Sequence, residues 1–201
     1  MLAALIQLRS SDDPAANLAV TEALIREAAG AGAELITTPE CTNIITLDRA
    51  RQRELLTTED DDATLRRLRE VAAELGRWLV IGSLALRSGD ADGRFVNRSF
   101  VIGPDGGIRA RYDKIHMFDV DLAGGESYRE SAAFRPGAAA RTVGAAGATL
   151  GLSVCYDLRF PGLYLDLARA RSSTCQWAAP VGTVKADGMV RTCAPARARS
   201  R

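Results

Sequence analysis

Short apolar runs alternate with amphipathic stretches through residue 170. Residues 2–8 are apolar and of strand length, as a buried strand should be. Ser11, Asp12 and Asp13 then offer capping oxygens, and Pro14 suits a first helical turn. Over residues 14–31, Leu18, Val20, Leu24, Ile25 and Ala28 form an apolar face at helical spacing, and Gly30 and Gly32 end it. Residues 34–38 read as a second strand that Pro39 stops just before Glu40. A polar, acidic stretch (57–62) precedes a second helix, in which Leu65, Leu68, Val71, Ala72 and Leu75 recur with the helical period. Residues 78–86, 95–102 and 108–112 are three more strands, joined by turns at 88–93 and 103–107; this meander delivers Lys114. After a Gly- and Ser-containing loop (122–137) come a buried strand (149–154), Cys155, and a helix over 161–170. The order β-α-β-α-β-β-β predicts an α/β sandwich with helices packed on a mixed sheet.

Past residue 170 both periods stop, and 171–201 reads as a solvated or disordered tail dominated by small residues, Arg and Pro. Charge marks the same boundary. Residues 1–170 carry 20 basic and 24 acidic side chains, whereas 171–201 carry 6 basic and 1 acidic, leaving +1 overall. So small a net charge gives no field arguing for nucleic acid or a membrane surface. No stretch approaches the roughly 18–20 apolar residues of a membrane helix, and the apolar start lacks the basic leader of a signal peptide. Four cysteines (41, 155, 175, 193) without a CxxC pair or zinc-ligand spacing fit a reducing, cytoplasmic setting.

Arg occurs 24 times and Lys only at 114 and 185. A chain so biased keeps a Lys where a compact ammonium is needed and a planar guanidinium fails. Cys155 sits where a strand passes into a turn and then a helix, a junction that exposes a side chain and leaves backbone N–H groups free for an oxyanion. Taken alone it reads equally as an inert buried thiol. Glu40, at another strand tip, can take a thiol proton if burial raises its basicity, or can simply be a cap or solvated. Lys114 can stabilise an oxyanion and a thiolate. His116, the only histidine, lies two residues from Lys114 and reads as a structural residue near the site rather than as the base. A lone His and scattered Cys do not make a metal site.

Pro-Glu at 39–40, Tyr-Asp-Lys-Ile-His-Met-Phe-Asp at 112–119, Tyr-Arg-Glu-Ser at 128–131 and Gly-Leu-Ser-Val-Cys-Tyr-Asp-Leu-Arg-Phe-Pro at 151–161 together resemble the nitrilase superfamily of carbon–nitrogen hydrolases, most closely its amidase branch. The resemblance implies a four-layer α-β-β-α sandwich, here incomplete at the C-terminus, and no cofactor. It implies Glu40 as general base, Lys114 as catalytic lysine, Cys155 as nucleophile, Glu130 as a second glutamate that orients the site (Glu126 being the weaker candidate), and the Tyr156 N–H as oxyanion donor. It further implies a small amide as substrate, either an ω-amide of a dicarboxylic acid or deaminated glutathione, cleaved through a cysteine thioester with release of ammonia. Homodimers would be expected of a complete fold, with no nucleic-acid or membrane partner. Tyr156 and Arg159, beside Cys155, can face a substrate carboxylate; Arg159 can equally pair with Asp157 or Asp119.

The resemblance covers residues 1–170 as a nucleophile-bearing hydrolase domain and leaves 171–201 as a non-family tail. Members of the family continue with further strands and helices, so the tail is expected to be the product of a truncation or a shifted frame. In that case the strand before Cys155 would be an open apolar edge. An inactive fragment and a nitrile-hydrolysing or amide-forming relative are the alternatives to an amidase.

Overall fold

The computed structural model describes residues 1–170 and the backbone of two later segments, Thr174–Ala178 and Met189–Cys193. Strand β1 (Ala3–Gln7) leads into helix α1 (Pro14–Gly30). The helix begins where extended Asp13 accepts hydrogen bonds from the N–H groups of Ala15 and Ala16, with proline in the first turn. Then come β2 (Leu35–Thr37), α2 (Arg49–Leu55) and α3 (Ala63–Leu75). Asp62 caps the start of α3, and Gly76 ends it in the left-handed conformation (φ 62°) that a glycine adopts without strain. Strands β3 (Trp78–Arg87), β4 (Phe95–Ile102) and β5 (Ile108–Asp113) form the meander. Two three-residue strands, β6 (Asp119–Asp121) and β7 (Ser127–Arg129), pair antiparallel. After β8 (Thr142–Ala145) and β9 (Ala148–Val154) a 3-10 turn spans Cys155–Arg159 and α4 runs over Pro161–Arg169. Strands β10 (Thr174–Ala178) and β11 (Met189–Cys193) complete the described elements.

One sheet has the order β11-β1-β2-β3-β4-β5, parallel from β1 to β3 and antiparallel elsewhere; a second has the order β10-β9-β8. One face of the large sheet packs on α1 and α3 through Ile25, Leu68, Val71, Ile81 and Phe100. The other face packs on the small sheet through Leu35, Val80, Val101 and Tyr112 against Leu150, Leu152 and Val154. Helix α4 covers the outside of the small sheet, where Gly151 admits Leu167 so closely that an added Cβ would lie 3.1 Å from its side chain. The layers are therefore α-β-β-α, as expected. Outside the core, Glu22 and Arg26 of α1 form an ion network with Arg67 and Glu74 of α3. No helix among the described residues is long and apolar enough to cross a membrane.

Several elements differ from the sequence reading. Helix α2 escaped it because Arg-Ala-Arg-Gln-Arg-Glu-Leu has no apolar stripe; Asp48, accepting from the N–H groups of Ala50 and Arg51, starts it instead. The loop expected over 122–137 contains β7 and a 3-10 turn (Glu130–Ala132), and β8 is made mostly of small residues that carry little strand signal. The expectation of no regular structure beyond 170 is corrected by β10, parallel to β9, and β11, antiparallel to β1. Segments of five residues are too short to show a period within a stretch rich in Arg, Ala and Pro. With β10 on one side and β8 on the other, the strand before Cys155 is the middle strand of its sheet rather than an open edge. The rest of the expected tail lies outside the described residues.

The approach of β3 to the turn after β2 is a tight constraint near the end of the sheet. A Cβ on Gly82 would lie 2.2 Å from the Thr38 carbonyl oxygen and 2.5 Å from that of Pro39. Both obstacles are backbone and cannot swing aside. Gly82→Ala should therefore destabilise the protein by about 1–3 kcal/mol, read as a lowered urea midpoint at unchanged slope. A variant as stable as the parent would show that this approach does not constrain the fold.

Candidate active site

Glu40 sits in the turn beyond β2, which β3 holds in place. The Cys41 N–H donates to Ser83 Oγ (2.9 Å), the Thr42 N–H donates to the Ser83 carbonyl (2.9 Å), and the Thr38 and Thr42 hydroxyls meet at 2.7 Å. Lys114 follows β5. Its N–H donates to the Asn97 carbonyl of β4, and its own carbonyl accepts from Gly137 (2.8 Å), a close approach at which a Cβ would meet the Asp113 carbonyl oxygen at 2.1 Å. Glu130 opens the 3-10 turn after β7, and the Phe118 N–H donates to its Oε2. Cys155 follows β9 with a left-handed backbone (φ 50°), unusual for a residue bearing a side chain.

These four residues line one cavity of about 420 Å³. At its floor Lys114, 2% exposed, places Nζ 3.1 Å from Glu40 Oε1 and 2.9 and 2.8 Å from the two carboxylate oxygens of Glu130. The Asn97 amide also donates to Glu40 Oε1 (2.8 Å). Burial pulls the Lys114 ammonium down, but the charges of Glu40 and Glu130 outweigh it and hold the ammonium above the ordinary lysine value. Cys155 hydrogen-bonds the Glu40 side chain. Burial first, then the negative charge of Glu40, push its thiol up to about 12, while Lys114 pulls the other way. Both effects favour the neutral thiol beside the Glu40 carboxylate. Burial and the Glu40 charge keep the neighbouring Cys41 thiol protonated as well.

The turn after Cys155 is anchored from below by Asp157, which is fully buried. Its Oδ2 accepts from Tyr112 Oη (2.7 Å) and the Val154 N–H (2.9 Å); its Oδ1 accepts from the His116 N–H (3.0 Å) and meets His116 Nδ1 at 2.6 Å. The His116 ring stacks on Phe160 at 3.7 Å. His116 is therefore built into the support of the nucleophile turn, not aimed at the thiol. Tyr156 packs its ring edgewise against Phe118 and Phe160, and its N–H lies in the first turn of the 3-10 segment, where backbone donors lack helical partners.

The structure thus brings Glu40, Lys114, Glu130 and Cys155 together. It does not bring in Glu126, which is exposed and accepts from Tyr128 Oη (3.3 Å), nor Arg159, which is exposed; neither Arg159 nor Tyr156 is in the described cavity lining. Asp157 and Asp119, considered as partners for Arg159, instead serve the contacts above and Ser131. Sequence reasoning missed Asn97 and the role of Asp157. Asn97 was signalled by a polar residue in phase with the apolar Phe95 and Val101 of its strand. Asp157 was signalled by a carboxylate two residues past a strand-end nucleophile.

Comparison with known proteins places the chain in a family. The carbon-nitrogen hydrolase family model matches residues 2–187, past the boundary at 170 where the sequence resemblance was placed. The chain is 36% identical over 165 residues to the deaminated glutathione amidase of Yersinia enterocolitica, covering 82% of this chain and 57% of that protein. It is 36% identical over 160 residues to the omega-amidase of Homo sapiens, covering 80% and 56%. It superposes with a TM-score of 0.75 and 25% identity on a mutant amidase from Nesterenkonia sp. AN1 that carries acrylamide added at its active-site cysteine, covering 89% of this chain and 66% of that one. The chain spans little more than half the length of the two curated relatives. With a buried lysine clasped by two glutamates beside a strand-end cysteine, and a family match over nearly the whole sequence, this chain belongs to the carbon-nitrogen hydrolases.

Proposed function

We propose that the chain carries the catalytic centre of an amidase that cleaves the C–N bond of a small carboxylic amide through a thioester on Cys155. The observation that carries this reading is the ammonium of Lys114 held between Glu40 and Glu130 on the cavity that Cys155 lines. As the sulfur attacks the amide carbonyl, its proton passes to Glu40. The charge that develops on the carbonyl oxygen faces Lys114 and the Tyr156 N–H. Collapse of the tetrahedral intermediate breaks the C–N bond, and Glu40 returns the proton to the departing nitrogen, which leaves as ammonia. Water, deprotonated by Glu40, then cleaves the thioester, releasing the acid and restoring the thiol. Glu130 holds Lys114 in place throughout. The names of the two curated relatives favour an ω-amide of a dicarboxylic acid or deaminated glutathione as substrate.

An ammonia-release assay over a panel of ω-amides tests the reading. Cys155→Ala should abolish turnover. Lys114→Arg should lower kcat/KM by about 100-fold or more, because a planar guanidinium does not fit the slot between the two carboxylates. Full activity in Lys114→Arg would remove Lys114 from the chemistry. Labelling of Cys155 by a thiol reagent without any ammonia release would leave a preserved centre with no turnover.

The protonated thiol gives a second expectation. The difference in absorbance at 240 nm between the parent and Cys155→Ala should stay flat from about pH 6 to 9 and rise only above about pH 10. A step near neutral pH would mean a preformed thiolate and a different activation.

A further inference from the structure

We infer that Arg49 is the docking point for an anionic group at the far end of the substrate, so that the cavity selects amides bearing a carboxylate over neutral ones. This rests on the amidase reading above and assigns a role to the less buried part of the cavity lining. The lining changes character with the exposure of its residues. Its floor is polar and buried, with Glu40, Lys114 and Asn97 at 5%, 2% and 2% exposure. Its walls include the apolar side chains of Ile44, Ala85, Phe118 and Phe134. Its rim includes exposed Ile45 and Leu47, half-buried Arg49 and exposed Arg129.

Three cations lie on this lining, and their charges are met differently. Lys114 is bound by two carboxylates at the floor. Arg129 makes two hydrogen bonds to the carboxylate of Asp121, at 2.8 and 2.9 Å, and is neutralised there. Arg49 alone has no carboxylate within 4.0 Å among the described residues. Its Nη1 donates to the neutral oxygen of Gln52 at 3.1 Å, and Gln52, itself buried, is fixed by donating to the Thr46 carbonyl at 2.8 Å. A guanidinium aimed by a neutral, anchored partner keeps its charge and its remaining N–H donors for a ligand. Its planar fork matches a carboxylate. An amide at the floor, an apolar chain along the walls and an anion at the rim describe the monoamide of a dicarboxylic acid. The same distribution gives Arg159, exposed and off the described lining, no part in this contact.

Equilibrium binding to the full chain carrying Cys155→Ala tests the assignment without requiring turnover. The probes are glutaric acid monoamide and its uncharged counterpart pentanamide. The monoamide should bind about tenfold or more tightly, the scale of one charge-assisted contact. Adding Arg49→Gln should bring the ratio of the two affinities close to one, and raising the salt concentration should narrow it in the parent background. Circular dichroism of each variant checks that it is folded. Equal affinities in the parent background, a preference that survives Arg49→Gln, or one that vanishes in Arg159→Gln instead would each overturn the inference. Selective binding without ammonia release from the unsubstituted chain would overturn the amidase reading and leave the Arg49 assignment standing.

Discussion

A lysine ammonium removed from water has to be met by opposite charge, and in this molecule that requirement organises the end of the sheet. An unpaired ammonium at the depth of Lys114 would cost several kcal/mol or lose its proton. Two carboxylates from distant parts of the chain satisfy it, one 74 residues before Lys114 and one 16 residues after it. The turn after β2, the ends of β4 and β5, and the segment after β7 must all converge for that to happen. Burial, and after it the negative charge of Glu40 that Lys114 only partly offsets, raises the neighbouring thiol as well. What binds the lysine makes the sulfur a weak acid.

A second buried carboxylate plays a comparable part on the other side of the cleft. Asp157 receives donors from β5, from the segment holding His116 and from the last residue of β9, so it ties the small sheet to the large one directly beneath Cys155. Each of its oxygens is used, which makes it a point of attachment rather than a reagent. Cys155 is thereby held from behind while it lines the cavity. Gly82 and Gly137 do the same for Glu40 and Lys114, by letting backbone press against backbone where any side chain would intervene. The reactive groups sit in loops, and their accuracy comes from the layers.

Much of this was legible in the residues themselves. Strand ends betrayed Glu40, Lys114 and Cys155, because an apolar run that stops at a charged or nucleophilic residue places that residue at the lip of a sheet. The scarcity of lysine drew attention to position 114 before any partner was known. Less legible was anything that depends on crossing from one layer to another. The link from Tyr112 to Asp157 spans 45 residues and two sheets, and no spacing rule connects them. Helix α2 and β10 were missed for a related reason: their sequences carry no periodic apolar stripe, and they are placed by capping and by pairing with neighbours. Arg159 was named from closeness in sequence to Cys155, yet a tight turn sends adjacent side chains in different directions, and this one faces solvent.

The protonated state of Cys155 also bears on the protein's chemical durability. Peroxides and soft metal ions attack thiolates far faster than thiols. A part-buried sulfur beside a carboxylate, its thiol pushed up to about 12 by burial and by the Glu40 charge, presents little thiolate at neutral pH. Oxidation to the sulfenic acid should accordingly be slow at this residue compared with cysteines activated by a neighbouring cation alone. The environment that keeps this sulfur protonated is thus also one that slows its oxidation.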